Sequence, residues 1–243
     1  MSDGPGLILL MGNRTEHAIT SIQHYVPSVV HIVTSTDFKS QHARRLKTWA
    51  EKYGFRKGEV HAVSDLFEAS SVNSILTEIF KVADSEQLGE TKTPWYLGIT
   101  GGTMHMAATG LYAALLLDIL PFYVIQPPKG QVPMPNRDVL EFPSFSGMKC
   151  AMSIMSDDLK YLSQGEGKME DFAQRMPEII FKGLILTGLL EVEDDIWKMT
   201  PEGHRTISFA GNTMPVIELM KQRAAIEKSN EEELEQSLGF YIG

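Results

Sequence analysis

The sequence predicts an α/β fold in which a doubly wound, mainly parallel sheet is followed by a smaller α+β domain. Three observations carry this expectation. Short runs that are apolar throughout alternate with longer stretches of helical periodicity over residues 6–128. Prolines and glycines then gather between residues 127 and 147. Beyond them the rhythm changes to short helices and a hairpin.

Gly6 to Gly12 reads as a buried strand, bounded by glycine and a polar run, and residues 16–26 as a helix. Val29 to Ser35 is a second strand, followed by a helix over 37–53. His31 lies inside that apolar strand and reads as a satisfied core residue. Val60 to Val63 is a weaker third strand before a helix at 71–86. Trp95 to Ile99, a helix over 104–119 and a fifth strand from Phe122 to Gln126 complete the rhythm. Strands without polar alternation must be covered on both faces, which requires helices on either side.

Pro127, Pro128, Gly130, Pro133, Pro135 and Pro143 oppose a regular helix, although Val139 to Phe142 fits an edge strand. The expected domains are therefore 1–145 and 146–243. In the second, residues 156–162 and 168–176 read as short helices. Pro177 stands where a first-turn proline belongs and opens a helix over 178–190. Glu191 to Thr200 forms two short strands around an acidic turn. Residues 212–237 read as one amphipathic helix, or two broken near Ser229-Asn230, packed on this domain or docking a partner. The apolar close, Leu238 to Gly243, is expected to tuck against the body.

Composition narrows the function classes. A hydrophobic share of 43% with 22% charged residues is ordinary for a soluble globule. No targeting segment is visible, and the apolar helix near 104–120 falls short of a bilayer span, so no membrane role is expected. It reads instead as an interior helix or a dimer seam. The one cysteine, Cys150, fits a reducing, cytoplasmic setting and rules out an internal disulfide or a cysteine metal cage. The seven histidines show no His-x-x-x-His or His-Glu-x-x-His spacing, so no metal or cofactor is expected. Gly-x-Gly-x-x-Gly and Gly-x-x-x-x-Gly-Lys-[Ser/Thr] are both missing, which disfavours a dinucleotide coenzyme and a nucleotide triphosphatase.

Two polar clusters follow the carboxyl ends of expected strands, where ligands bind in such sheets. Thr100-Gly101-Gly102-Thr103 runs from the fourth strand directly into a helix. Its glycines let the backbone turn sharply, and the uncovered amides lie at the positive end of the helix dipole. Both threonines add hydroxyl donors suited to a phosphate. A β-branched residue at Gly101 is expected to block the ligand and leave the fold intact. Gly12-Asn13-Arg14-Thr15-Glu16-His17 follows the first strand, with Asn13 and Thr15 as helix caps and Arg14 as a planar donor fork. The alternative reading is a capped turn with a solvated arginine. Thr34-Ser35-Thr36-Asp37 is a third, weaker set that capping by Asp37 or Thr36 alone explains.

The turns Met11-Gly12-Asn13-Arg14-Thr15-Glu16 and Ile99-Thr100-Gly101-Gly102-Thr103-Met104-His105-Met106-Ala107 resemble the CARF family, the CRISPR-associated Rossmann-fold domains that bind cyclic oligoadenylates. The resemblance covers about residues 6–128. Many members carry an acidic or amide residue two places before the threonine and a lysine after Gly-Gly-Thr; here those positions hold Gly98 and Met104. The helices and hairpin over about 150–210 resemble a winged helix-turn-helix, which several CARF proteins carry.

These resemblances imply a Rossmann-like ligand domain, a winged-helix-like C-terminal domain and a homodimer that binds cyclic tetra- or hexa-adenylate. The implied ligand-binding residues are Gly12, Asn13, Arg14, Thr15, Thr34, Ser35, Thr100, Gly101, Gly102, Thr103, Met104, His105 and Lys129. The function implied is a sensor in type III CRISPR antiviral defence, relaying occupancy to a promoter or a protein partner. The alternative is a metal-independent ring nuclease, with Arg14, Thr103 and His105 as its catalytic set. A generic small-molecule enzyme is a third class, but no acid–base pair is evident by spacing. Charge bears on the relay. Residues 146–243 hold 10 Lys and Arg against 17 Asp and Glu, a net of −7 of the chain's −9. Duplex binding requires neutralised phosphates, so DNA is a disfavoured partner and a protein is the better fit.

Overall fold

A six-stranded sheet in the order β3-β2-β1-β4-β5-β6 organises the N-terminal half of the chain. In this computed structural model the described residues are 4–68, 70–88, 93–128, 130–154 and 156–213. They fall into two compact units that divide between Phe145 and Ser146.

The first unit alternates β1 (Gly6–Met11), α1 (Glu16–Tyr25), β2 (Val29–Ser35), α2 (Thr36–Tyr53), β3 (Arg56–Val63), α3 (Ser71–Ser85), β4 (Trp95–Gly98), α4 (Met104–Leu117) and β5 (Leu120–Val124). The first five strands are parallel, and β6 (Val139–Glu141) runs antiparallel to β5. Every residue of β1 and β2 is buried, as wholly apolar central strands require. Successive side chains point to opposite faces, so β1 serves two cores. Ile8 and Leu10 pack with Ile75 and Ile79 of α3 and Met106 and Ala113 of α4. Leu7, Leu9 and Met11 pack with Ala18 and Ile22 of α1 and Leu46 and Trp49 of α2. This is the Rossmann-like, doubly wound arrangement expected, with helices on both faces.

Departures from the expected boundaries have local causes. β3 begins at Arg56, four residues before Val60, because it is an edge strand whose exposed Arg56, Lys57 and Glu59 mask the alternation. β6 is only three residues long. Ser35, not Thr36 or Asp37, takes the N-cap position of α2, and its side chain makes no capping bond. His31 is buried at 2% exposure; its Nε2 lies 2.9 Å from Glu86 Oε1, and its Nδ1 accepts from the Glu59 N–H at 3.2 Å.

In the second unit α6 (Ser156–Leu162), β7 (Glu166–Lys168), α7 (Met169–Arg175), α8 (Glu178–Leu186), β8 (Leu190–Glu193) and β9 (Ile196–Met199) follow α5 (Phe145–Ala151). Residues 201–213 are helical. The strands form an antiparallel sheet in the order β7-β9-β8. Neither α5 nor β7 was expected; β7 is short and polar, and only its pairing with β9 makes it a strand. Trp197 and Phe172 centre the core, and Trp197 Nε1 donates to the Tyr161 hydroxyl at 3.2 Å. Asp194 and Asp195 take φ of 50° and 61°, the two-residue turn whose twist matches a hairpin. The tail reading over 212–237 lies outside the described residues from 214 onward, as does the apolar close. Among the described residues no helix is long and apolar enough to cross a membrane.

Candidate functional site

The strand order reverses between β1 and β4. The chain winds outward from β1 through β2 to β3, then returns to place β4 on the other side of β1. A crevice opens at the carboxyl ends of such a pair. Both strands end in glycine turns, and the two turns touch: a Cβ on Gly12 would lie 3.1 Å from Gly102 Cα. The bare Cα of Gly12 is what lets the second turn approach, whereas a Cβ on Gly102 would meet the Met106 side chain 2.5 Å away.

A cavity of about 350 Å³ lies there, walled by Gly12, Asn13 and Arg14 from the first turn and by Thr100, Gly101 and Gly102 from the second. His17 of α1 and Tyr123 and Gln126 at the end of β5 complete it. Among the described residues no carboxylate lines this cavity, although the chain carries a net charge of −9, and Arg14 is a cation on its wall. Asn13 and Arg14 are exposed. The arrangement suits an anion.

The two glycines of the second turn have different tasks. Gly102 sits exposed at φ 81°, a conformation that side chains resist. Gly101 is buried, and a Cβ there would lie 1.9 Å from the Leu10 carbonyl oxygen and 2.6 Å from His17 Nε2. The expectation that Gly101 could be replaced without harm to the fold is therefore corrected: this glycine packs against β1.

The hydroxyls of the expected site are also divided in use. Thr100 Oγ1 accepts from the Val124 N–H at 2.5 Å, tying the end of β4 to β5, and keeps its own proton to donate. Thr103 caps α4: its Oγ1 accepts from the Met106 N–H at 3.4 Å and lies 2.9 Å from His105 Nδ1. Thr103, Met104 and His105 do not line the cavity, and Met104 is 89% exposed. Thr34 is fully buried and donates to the Met11 carbonyl at 2.8 Å, and Ser35 is buried as well; neither lines the cavity. Thr15 takes the N-cap of α1 without a side-chain capping bond, and it too is absent from the wall. Lys129 lies outside the described residues.

Two imidazoles support the first turn from behind. His42 of α2 is buried and its Nε2 lies 2.9 Å from the Gly12 carbonyl. A carbonyl only accepts, so Nε2 carries the proton, and Nδ1 is left buried without a partner. His17 Nε2 is likewise buried, near the Leu10 carbonyl but without a hydrogen bond of normal geometry. Burial holds both imidazoles below their ordinary value of 6.5; the Gly12 carbonyl opposes this for His42, as the Leu10 carbonyl and Glu16 do for His17. The Glu16 carboxylate turns back to accept from the Thr15 N–H at 3.0 Å. Backbone bonds at Glu16 and Thr15, with Arg14 nearby, hold that carboxyl below its usual range.

Tyr123, Gln126 and His17 were not singled out as site residues from the sequence. His17 stands at the end of the first polar cluster, in the first turn of α1. Tyr123 was legible only through the pleat, since it faces outward between the buried Phe122 and Val124.

No family model matches this chain, and no curated protein matches it. Among solved structures, Csm6 of Enterococcus italicus, bound to cyclic hexa-2'-fluoro-hexa-dAMP, aligns over 90% of this chain and 56% of its own, with a TM-score of 0.51 at 11% identity. Protein VC1899 from Vibrio cholerae aligns over 85% of this chain and 64% of its own, with a TM-score of 0.43 at 13% identity. Can2 from Sulfobacillus thermosulfidooxidans, in complex with cyclic tetra-adenylate, aligns over 90% and 66%, with a TM-score of 0.40 at 13% identity. The chain spans less than two thirds of the length of each. The Csm6 likeness shows a shared fold.

Proposed function

We propose that this chain is a CARF-type sensor of a cyclic oligoadenylate, acting in type III CRISPR antiviral defence. The observation that carries the proposal is the cavity with Arg14 on its wall and no carboxylate among its described lining residues, placed where two touching glycine turns end adjacent parallel strands. The Csm6 structure, which has this fold, holds a cyclic hexanucleotide analogue, and the turn motifs resemble those of the CARF family.

Size bears on stoichiometry. About 350 Å³ is near the low end of pockets for drug-sized ligands, enough for roughly one nucleotide rather than a ring of four or six. A ring with rotational symmetry is matched by two copies presenting the same cavity about a two-fold axis. The outer face of α4 supplies an apolar surface for that pairing: Leu111, Tyr112, Leu115 and Leu116 are all exposed on this one helix.

The C-terminal unit is the relay. After α5, its order of helix, strand, two helices and a hairpin, with β7 beside β9, supports a winged-helix reading. Its basic residues argue for a protein partner over DNA. On α8, Lys182 is paired with Glu178 at 2.6 Å, and on the hairpin Lys198 is paired with Glu193 at 2.7 Å.

A second reading, the ring nuclease, is favoured by one observation. Thr103 and His105 form a hydroxyl–imidazole pair at 2.9 Å beside Gly102, and a ribose 2′-hydroxyl held in line needs no metal to attack its phosphate. Incubation of the purified chain with labelled cyclic tetra- and hexa-adenylate, without metal, separates the two. Intact retained ligand supports the sensor and linear products support the nuclease. Absence of binding to either ring overturns both.

A further inference from the structure

We infer that Tyr123 and Gln126 form a base-reading subsite, which selects a 6-aminopurine in the nucleotide whose phosphate lies at the glycine turns. The inference rests on the cyclic oligoadenylate reading and adds to it the residues that distinguish the base. A phosphate cradle by itself is blind to base identity, because the backbone of every cyclic oligonucleotide is the same.

Both side chains line the same cavity as Arg14 and Gly102. Tyr123 is 38% exposed and stands outward from β5 between the buried Phe122 and Val124, so its ring is available on the cavity side. Aromatic rings are the usual platform on which single-stranded bases stack. Gln126 is exposed just beyond the end of β5, and among the described residues neither its amide nor the Tyr123 hydroxyl has a hydrogen-bond partner. A side-chain amide pairs in two-pronged fashion with adenine, accepting from N6 and donating to N7.

The backbone before Gln126 is held on two sides. The Val124 N–H donates to Thr100 Oγ1, and the Ile125 N–H donates to the Asp138 carbonyl at 2.7 Å. Thr100 itself belongs to the phosphate-facing turn, so the base-reading and phosphate-reading segments are joined by a direct hydrogen bond. That bond fixes the spacing between them, and a fixed spacing is what a nucleotide, with its base a set distance from its phosphate, requires.

The test compares the full chain and its variants against three labelled rings of the same size, cyclic tetra-adenylate, cyclic tetra-inosinate and cyclic tetra-uridylate. Inosinate replaces the 6-amino donor with a carbonyl acceptor and puts a proton on N1, while N7 stays an acceptor. The unmodified chain is expected to prefer adenylate over inosinate by about tenfold or more, and Gln126→Ala is expected to remove that preference. Tyr123→Ala should weaken adenylate binding by about tenfold or more, while Tyr123→Phe retains it. If both alanine variants bind adenylate as tightly as the unmodified chain while Arg14→Ala weakens it, the subsite is overturned and the sensor reading stands. If the unmodified chain binds none of the three rings and none of their hexameric counterparts, the sensor reading fails and takes the subsite with it.

Discussion

At the scale of single residues, the site separates groups that face a ligand from groups that build the wall behind it. Arg14 is the cation among the described residues of the cavity wall, so Arg14→Ala should weaken cyclic tetra-adenylate binding by about tenfold or more in an equilibrium titration. Glu16→Gln should do the reverse, a gain of a few-fold, because it removes the carboxylate whose charge opposes an incoming phosphate. Gly101→Ala places a Cβ 1.9 Å from a backbone oxygen, an overlap expected to cost about 1–3 kcal/mol or more in thermal or urea unfolding. His17, His31 and His42 are all held neutral by burial. The unfolded chain takes up their protons near pH 6.5 and the folded chain only at lower pH, so stability should decline as pH falls below about 6.5. Replacing His42 by Gln should reduce that slope in urea midpoints measured between pH 7.5 and 5. The sequence revealed the residue types but not their employment. A threonine hydroxyl reads the same whether it meets a phosphate, caps a helix as Thr103 does, or ties two strands as Thr34 does. Gly101 and Gly102 are adjacent and identical, yet only one is exposed.

At the scale of elements, the central strands were legible because burial on both faces removes polar residues altogether, whereas β3 was only half visible at its charged edge. β7 was invisible, since Glu166-Gly-Lys168 has no strand character apart from its partner. α4 offered two readings, interior helix or dimer seam, and the structure shows why both arose. Met106, Ala113 and Ala114 are buried on the sheet, while Leu111, Tyr112, Leu115 and Leu116 are exposed. If that face joins two copies, Leu116→Glu should yield a monomer in size-exclusion chromatography with light scattering. The same variant should lose ring binding while its unfolding transition stays near that of the unmodified chain. A monomer that still binds the ring would contradict the shared-cleft stoichiometry.

At the scale of the whole molecule, charge governs partnership. The C-terminal 98 residues carry most of the negative charge, and the lysines of α8 and the hairpin are each paired with a glutamate. Duplex DNA should therefore show weak retardation at about 50 mM salt and none at about 200 mM, since few phosphates are neutralised. Retention at the higher salt would reveal a basic stripe and favour duplex DNA over a protein as the partner of the proposed relay.

The two borders of the large sheet decide how copies of this chain are able to meet. On one side β3 presents Arg56, Lys57 and Glu59 to solvent, and on the other a three-residue antiparallel segment ends the ladder. Charged or truncated margins discourage a neighbour from adding its own strand. If copies of this chain pair as proposed, the contact is thereby left to side chains on helices. It should accordingly survive molar sodium chloride, leave amide exchange at both sheet margins unchanged, and resist runaway growth into fibres.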